Sequence, residues 1–246
     1  MPRSAAPAKT RSHAYHHGDL RQAMLAAADQ LIEEQGLEKF TLRECARRAG
    51  VSHGAPAHHF GDVRGLLTEL ATQGFEQLLE AMTQHEAAAP PDAYEQLIAN
   101  GQAYVAFALA HRGRFQLMFR SDRVQCDDAR LKQAGQATYG RLQQHMAAVL
   151  AAAKAPGALP SEKALLAWVV VHGLSTLTLE SGLFGGSEAE RAAAAHSVFE
   201  LFMRLLRPGL EASTVQAAAL TPALSQRERG PTQRGSSALT ASARSR

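Results

Sequence analysis

The chain has 246 residues, of which 46% are hydrophobic and 20% charged, with a formal net charge of +3. That is enough apolar material for a substantial core, and the length suits a small domain followed by a larger one. With two cysteines, no stretch of membrane-span length without polar interruption and no signal-peptide core, a disulfide scaffold and a membrane protein are excluded, and a cytoplasmic location is expected.

Residues 1–18 carry Arg3, Lys9 and Arg11 with no acid before Asp19. They read as a flexible basic arm, able to touch a phosphate or the minor groove, or simply to stay solvated. Residues 19–35 predict a helix with Leu20, Met24, Ala27, Ala28, Leu31 and Ile32 on one stripe and Gly36 as its stop. Leu37 and Phe40 follow, suited to pack beneath the next turn.

Residues 41–60, TLRECARRAGVSHGAPAHHF, are punctuated as two short helices joined by a tight turn. Thr41 can cap a helix, and Glu44 stands at capping-box spacing. Leu42, Cys45 and Ala46 then share an inward face, while Arg43, Arg47 and Arg48 point outward. Gly50 suits a left-handed stop, Val51 plugs the turn, and Ser52 offers an N-cap for a second helix ending at Phe60 and Gly61. Pro56 falls within that helix's first turn, where few ladder bonds exist to lose. Asp62 can cap a helix beginning near Val63. Helix, Gly-containing turn and helix is the unit whose second member enters the DNA major groove.

Beyond Leu66 every segment reads as helix, with no strand pattern or internal repeat. A connecting helix spans residues 66–86, Pro90-Pro91 marks a linker, and helices follow at about 93–110, 115–119 and 127–153. The helix after Ser161 is apolar almost all round through Leu179, which implies burial on every side. A last helix, 188–206, carries Val198, Leu201, Phe202, Leu205 and Leu206 on one stripe. These last two helices are suited to a four-helix bundle with a symmetry mate, or to filling the monomer core. Residues 207–246 lack apolar periodicity and are expected to be disordered and dispensable. Within them, LTPALSQRERG looks like translated intergenic repeat sequence.

At this point a resemblance becomes specific. YHHGDLR at residues 15–21, TLRECARRAGVS at 41–52, and the HF, GD and LL pairs through Leu67 resemble the N-terminal domain of the TetR/AcrR family of bacterial transcriptional regulators. WVVVHG at residues 168–173, with LMF at 117–119 after Phe115, is similar to a Trp…His-Gly (WHG) C-terminal subgroup. The resemblance implies a homodimeric repressor of a palindromic operator, with a small-molecule pocket and dimer interface in the C-terminal domain. Two departures matter: Ala57 stands where the family usually has a phosphate-binding tyrosine, and Val63 where it usually has a lysine. DNA binding is therefore expected to be retained but weaker than a consensus member's, unless His58, His59 and Arg64 compensate.

The fold expected is all-α: a three-helix helix-turn-helix domain at 19–65, then a larger helical ligand-binding and dimerisation domain at 66–206. Candidate DNA contacts are Thr41, Arg47, Ser52, His53, Gly54, His58, His59 and Arg64. Candidate pocket residues are the large side chains Tyr104, Phe107, Phe115, Met118, Phe119, Tyr139, Met146 and Trp168, with His172 as a polar member. The expected partners are double-stranded operator DNA, a small-molecule effector and a second copy of the chain, with no membrane and no cofactor. Histidines His13, His16, His17, His53, His58 and His59 keep a metal-sensing regulator open as an alternative, although no cysteine or carboxylate companions fall at structural-site spacing. A constitutive DNA-binding dimer without effector response is the other. No phosphate loop, nucleophile elbow or di-iron motif is present, so no enzyme activity is expected.

Overall fold

The computed structural model describes residues 17–52, 54–154, 159–180 and 184–211. The expectations placed on the N-terminal arm, on His53 and on the chain beyond Glu211 lie outside the described residues. Those described form nine α-helices and a short 3-10 turn: α1 (His17–Gln35), the turn (Leu37–Lys39), α2 (Leu42–Arg48), α3 (Ala55–Phe60), α4 (Val63–Ala88), α5 (Ala93–Ala110), α6 (Arg112–Met118), α7 (Ala129–Ala152), α8 (Pro160–Glu180) and α9 (Glu188–Glu211).

The small N-terminal bundle closes on the α1 stripe. Met24, Ala28, Leu31 and Ile32 are buried there with Cys45 and Ala46 of α2 and Leu66 and Leu70 of α4. The Cys45 thiol donates to the Met24 carbonyl at 3.4 Å, and burial pushes its pKa up to about 11. It is a core group, not a reactive thiolate. Gly50 adopts φ 69, the left-handed turn that lets Val51 re-enter the core while its N–H bonds to Ala46.

α4 is the spine. Its 26 residues span about 39 Å and cross the expected domain boundary without a break. Its first turn is capped by Asp62, which accepts from the Gly65 N–H at 2.8 Å. Its later turns pack against α5, α6 and α7, and α8 and α9 pack against α5. At its far end Glu86 is 3% exposed, held by Arg141 Nε at 2.7 Å, Asn100 Nδ2 at 2.8 Å and His145 Nε2 at 2.8 Å. Burial pushes this carboxyl up, but its three partners outweigh burial and leave it below the usual carboxylate range. Leu78, Met82 and Glu86 lie at i, i+4, i+8 on one face, so an acid on an apolar stripe was the sequence signal for this buried knot.

Three expectations are corrected. α3 starts at Ala55 with Gly54 as its N-cap and no side-chain cap bond, so Ser52 does not cap it. α8 is not buried all round within the chain: Leu165, Leu166, Val169 and Leu177 are each at least half exposed, while Ala164, Ala167, Val171, Leu174, Ser175 and Thr178 are buried and Trp168 and Leu179 pack partly against the core. Finally, α9 continues past Leu206 to Glu211 with Pro208 inside it. Tyr94 of α5 holds these last turns, donating to the Met203 carbonyl and lying under the Arg207 guanidinium at 4.7 Å.

Candidate nucleic-acid interface and ligand cavity

α2 and α3 form the outward unit. Thr41 accepts from the Glu44 N–H at 3.3 Å, as its position implies. The reciprocal half of the capping box is replaced by a bidentate pair, Arg47 Nε to Glu44 Oε2 at 2.8 Å and Nη2 to Oε1 at 2.6 Å. That bond with Arg47 holds the Glu44 carboxyl below its ordinary range and raises Arg47 above its own. Arg47 is exposed but already occupied, so a DNA phosphate must take it from Glu44. Arg48 is tied to Glu34 at 2.7 Å.

On α3, Gly54, Ala57 and His58 are exposed, while Pro56 is buried and His59 half-buried beside the Phe60 ring. Phe60 is fixed from the other side by the Arg21 guanidinium, 5.5 Å above its ring, and Arg21 also pairs with Glu69 of α4 at 2.8 Å. Arg64, the expected contact at the start of α4, is exposed and also bonded within the chain. Its guanidinium donates to the Val124 carbonyl in the α6–α7 connection, because the first turn of α4 packs against that loop, where Thr68 also accepts from the Gln125 N–H at 2.8 Å.

The larger domain holds an apolar cavity of about 350 Å³. Four of the expected residues line it: Tyr104, Phe119, Tyr139 and Trp168. Phe107, Phe115, Met118 and Met146 do not; they are at most 5% exposed and fill the core behind it. The walls missed in the sequence are Phe75, Leu78 and Met82 of α4, Gly135, Thr138 and Leu142 of α7, and Leu165 of α8. Their apolar spacing was visible, but it is the same spacing that core residues have.

His172 sits behind the wall. Its Nδ1 is 2.8 Å from the Tyr104 hydroxyl, its ring stacks on Trp168 with centroids 5.2 Å apart, and Phe119 meets it edge-on at 4.4 Å. Burial lowers its pKa, with a smaller opposing pull from Glu180, and burial raises that of Tyr104. Both are therefore neutral hydrogen-bonding partners near neutral pH. A second cavity, about 430 Å³, shares Phe119, and is lined also by His172, Arg120 and the Leu37–Lys39 turn.

α6 joins this region to α1. The Glu33 carboxylate accepts from the Gly113 and Arg114 N–H groups at 2.9 and 3.1 Å. Arg114, 8% exposed, reaches Asp29 with Nε at 2.8 Å and also donates to Gln77. A Cβ at Gly113 would stand 2.6 Å from the Ile32 side chain and 2.9 Å from its backbone, so the two helices touch there.

A capped helix pair with an exposed second member, mounted on a larger cavity-bearing helical domain, defines a helix-turn-helix DNA-binding regulator. Comparison with known proteins agrees. Residues 24–70 match the family described as "Bacterial regulatory proteins, tetR family", and residues 97–202 match "Tetracyclin repressor-like, C-terminal domain". The HTH-type transcriptional regulator BetI of Burkholderia ambifaria is 32% identical over 198 residues, covering 75% of this chain and 95% of that protein. BetI of Stenotrophomonas maltophilia is 38% identical, but over only 31% of this chain and 39% of its own length. A solved protein of unknown function from Rhodococcus sp. RHA1 is 35% identical, with a TM-score of 0.64 over 76% of this chain and 97% of that one. FadR from Bacillus subtilis, solved in complex with stearoyl-CoA, shares the fold at 18% identity, with a TM-score of 0.57 over 74% of this chain and 97% of its own. The chain belongs to the TetR family of bacterial transcriptional regulators. Among the described residues no helix is long and apolar enough to cross a membrane.

Proposed function

We propose that this regulator represses from a palindromic operator as a homodimer and is released by a small molecule. The observation that carries the reading is α6: Phe119, immediately after its C-terminus, lines the cavity, and its N-terminal end is clamped to α1 by Glu33, Gly113 and Arg114. A guest that displaces Phe119 moves the helix on which the DNA-binding bundle rests. Arg47, Thr41, Gly54, His58 and His59 are the proposed DNA contacts, with Arg47 exchanging Glu44 for phosphate. The likeness of residues 168–173 to the Trp…His-Gly subgroup belongs to this reading.

Dimerisation is supported by the open faces of α8 and α9. Leu166, Val169, Gly173 and Leu177 share one stripe of α8, and Val198, Leu201 and Leu205, the last 72% exposed, share one of α9. Gly173 lies inside its stripe with space above it, which suits a close approach by the partner. The metal-sensing alternative gains no observation, since the described residues contain no group of three or more potential ligands. Selection of bound fragments from random DNA, with sedimentation of the complex, tests the reading. A palindromic product bound by two chains supports it, and failure to enrich any sequence overturns it. Operator retained against a broad compound panel would leave a constitutive dimer.

A further inference from the structure

The cavity also carries information about the chemistry of its guest. We infer that the effector is an uncharged, ring-bearing apolar molecule, and that Gly135 sets the size it can have; this rests on the effector reading above. Among the described residues, no charged side chain lines the cavity. The polar groups in its wall are largely committed to the protein: Thr138 Oγ1 bonds to the Phe75 and Ala134 carbonyls at 3.2 and 3.0 Å, and the Tyr104 hydroxyl is engaged with His172. A charged guest would lose its hydration with nothing to replace it.

The walls instead offer ring faces and edges. Phe75 and Phe119 meet at 79° with centroids 5.5 Å apart, and Tyr139 and Trp168 at 74° and 6.2 Å. Such surfaces receive another ring in stacked or edge-to-face contact. At about 350 Å³ the space suits a guest of roughly two to three rings.

Gly135 is the second observation. It lies in the interior of α7, where glycine weakens a helix relative to alanine, and its φ is not in the left-handed region. Neither backbone geometry nor crowding requires it, because an added Cβ would meet only the Phe75 ring, no closer than 3.9 Å. The missing side chain leaves room in the cavity wall up to the Phe75 ring, which a Cβ would meet at ordinary contact distance and a longer side chain would crowd.

The test uses the full chain and three isosteric probes: biphenylmethanol, biphenylcarboxylate and biphenylmethylammonium. Binding is read by calorimetry and by the emission of Trp168, the only tryptophan in the sequence and part of the cavity wall. The neutral probe is expected to bind at least ~30-fold more tightly than either ion. Gly135→Leu is expected to abolish that binding while leaving thermal stability and operator binding intact or improved. Should Gly135→Leu not fold, Gly135→Ala carries the same test, with weaker neutral binding and a raised Tm. An ion that binds as tightly as the alcohol, no binding by any probe, or unchanged binding in the folded Gly135 variant each overturns the inference. Neutral binding without operator release would remove the effector reading and leave the class of guest standing. Release by an ion alone would do the reverse.

Discussion

The two halves of this molecule are built with different margins. The recognition helix α3 has six residues, no side-chain cap, and an exposed alanine where its relatives usually carry a phosphate-binding tyrosine. The larger helical half is over-determined by comparison, with a buried carboxylate at Glu86 bonded to Arg141 and Asn100, an interdigitated aromatic wall, and α6 clamped through Glu33, Asp29 and Arg114. A DNA-reading surface is completed by its partner, so its groups stay exposed and exchangeable. On the proposed reading the larger domain holds two arrangements apart, which demands dense and specific packing.

That contrast can be broken first at its strongest point. Glu86→Ala strips Arg141 and Asn100 of their acceptor and His145 of a nearby carboxylate, and should cost about 3 kcal/mol in denaturant unfolding; a loss below about 1 kcal/mol would mean the knot is not a keystone. Arg114→Ala should cost about 2 kcal/mol. It should also separate the halves functionally, with effector still perturbing Trp168 emission but operator release blunted. Unimpaired release would show that coupling bypasses α6.

The weak half should respond in the opposite sense, by gains. Ala57→Tyr should restore a phosphate contact and tighten operator binding about fivefold, with a steeper salt dependence. No change would mean that α3 docks differently from its relatives. Glu44→Gln releases Arg47 and should tighten binding about twofold to threefold. Weaker binding in that variant would place the acid itself at the interface.

The smallest effect concerns pH. His172 has a folded-state pKa depressed by burial below its ordinary 6.5. The unfolded chain therefore takes up the proton first as pH falls. Stability from this group is full above about 6.5 and is lost as pH drops from there through the lower folded value. His172→Gln should flatten that part of the stability profile, and an unchanged slope would mean that other histidines dominate it.

The helix-turn-helix was legible because its signals are local. Thr41, Gly50 and Asp62 act on backbone within a few residues, so their roles follow from spacing. Ser52 misled for the same reason: it has capping chemistry, yet the turn delays the helix until Gly54. The internal bond of Arg64 was not legible, because its partner, the Val124 carbonyl, is 60 residues away. Among the large apolar residues expected at the cavity, Tyr104 lines it while Phe107, one turn on, is core. Helical periodicity cannot separate a wall from the packing behind it.

Sequence by itself therefore determined the class of this protein and the order of its helices. Each of these follows from residue identity at a fixed local offset. Only tertiary structure decided which face of α8 stays open, that Glu86 is a buried hub, that α6 bridges cavity and α1, and that Gly135 leaves room for a guest. Those depend on which helices meet and at what distance, and a space between helices belongs to none of them alone.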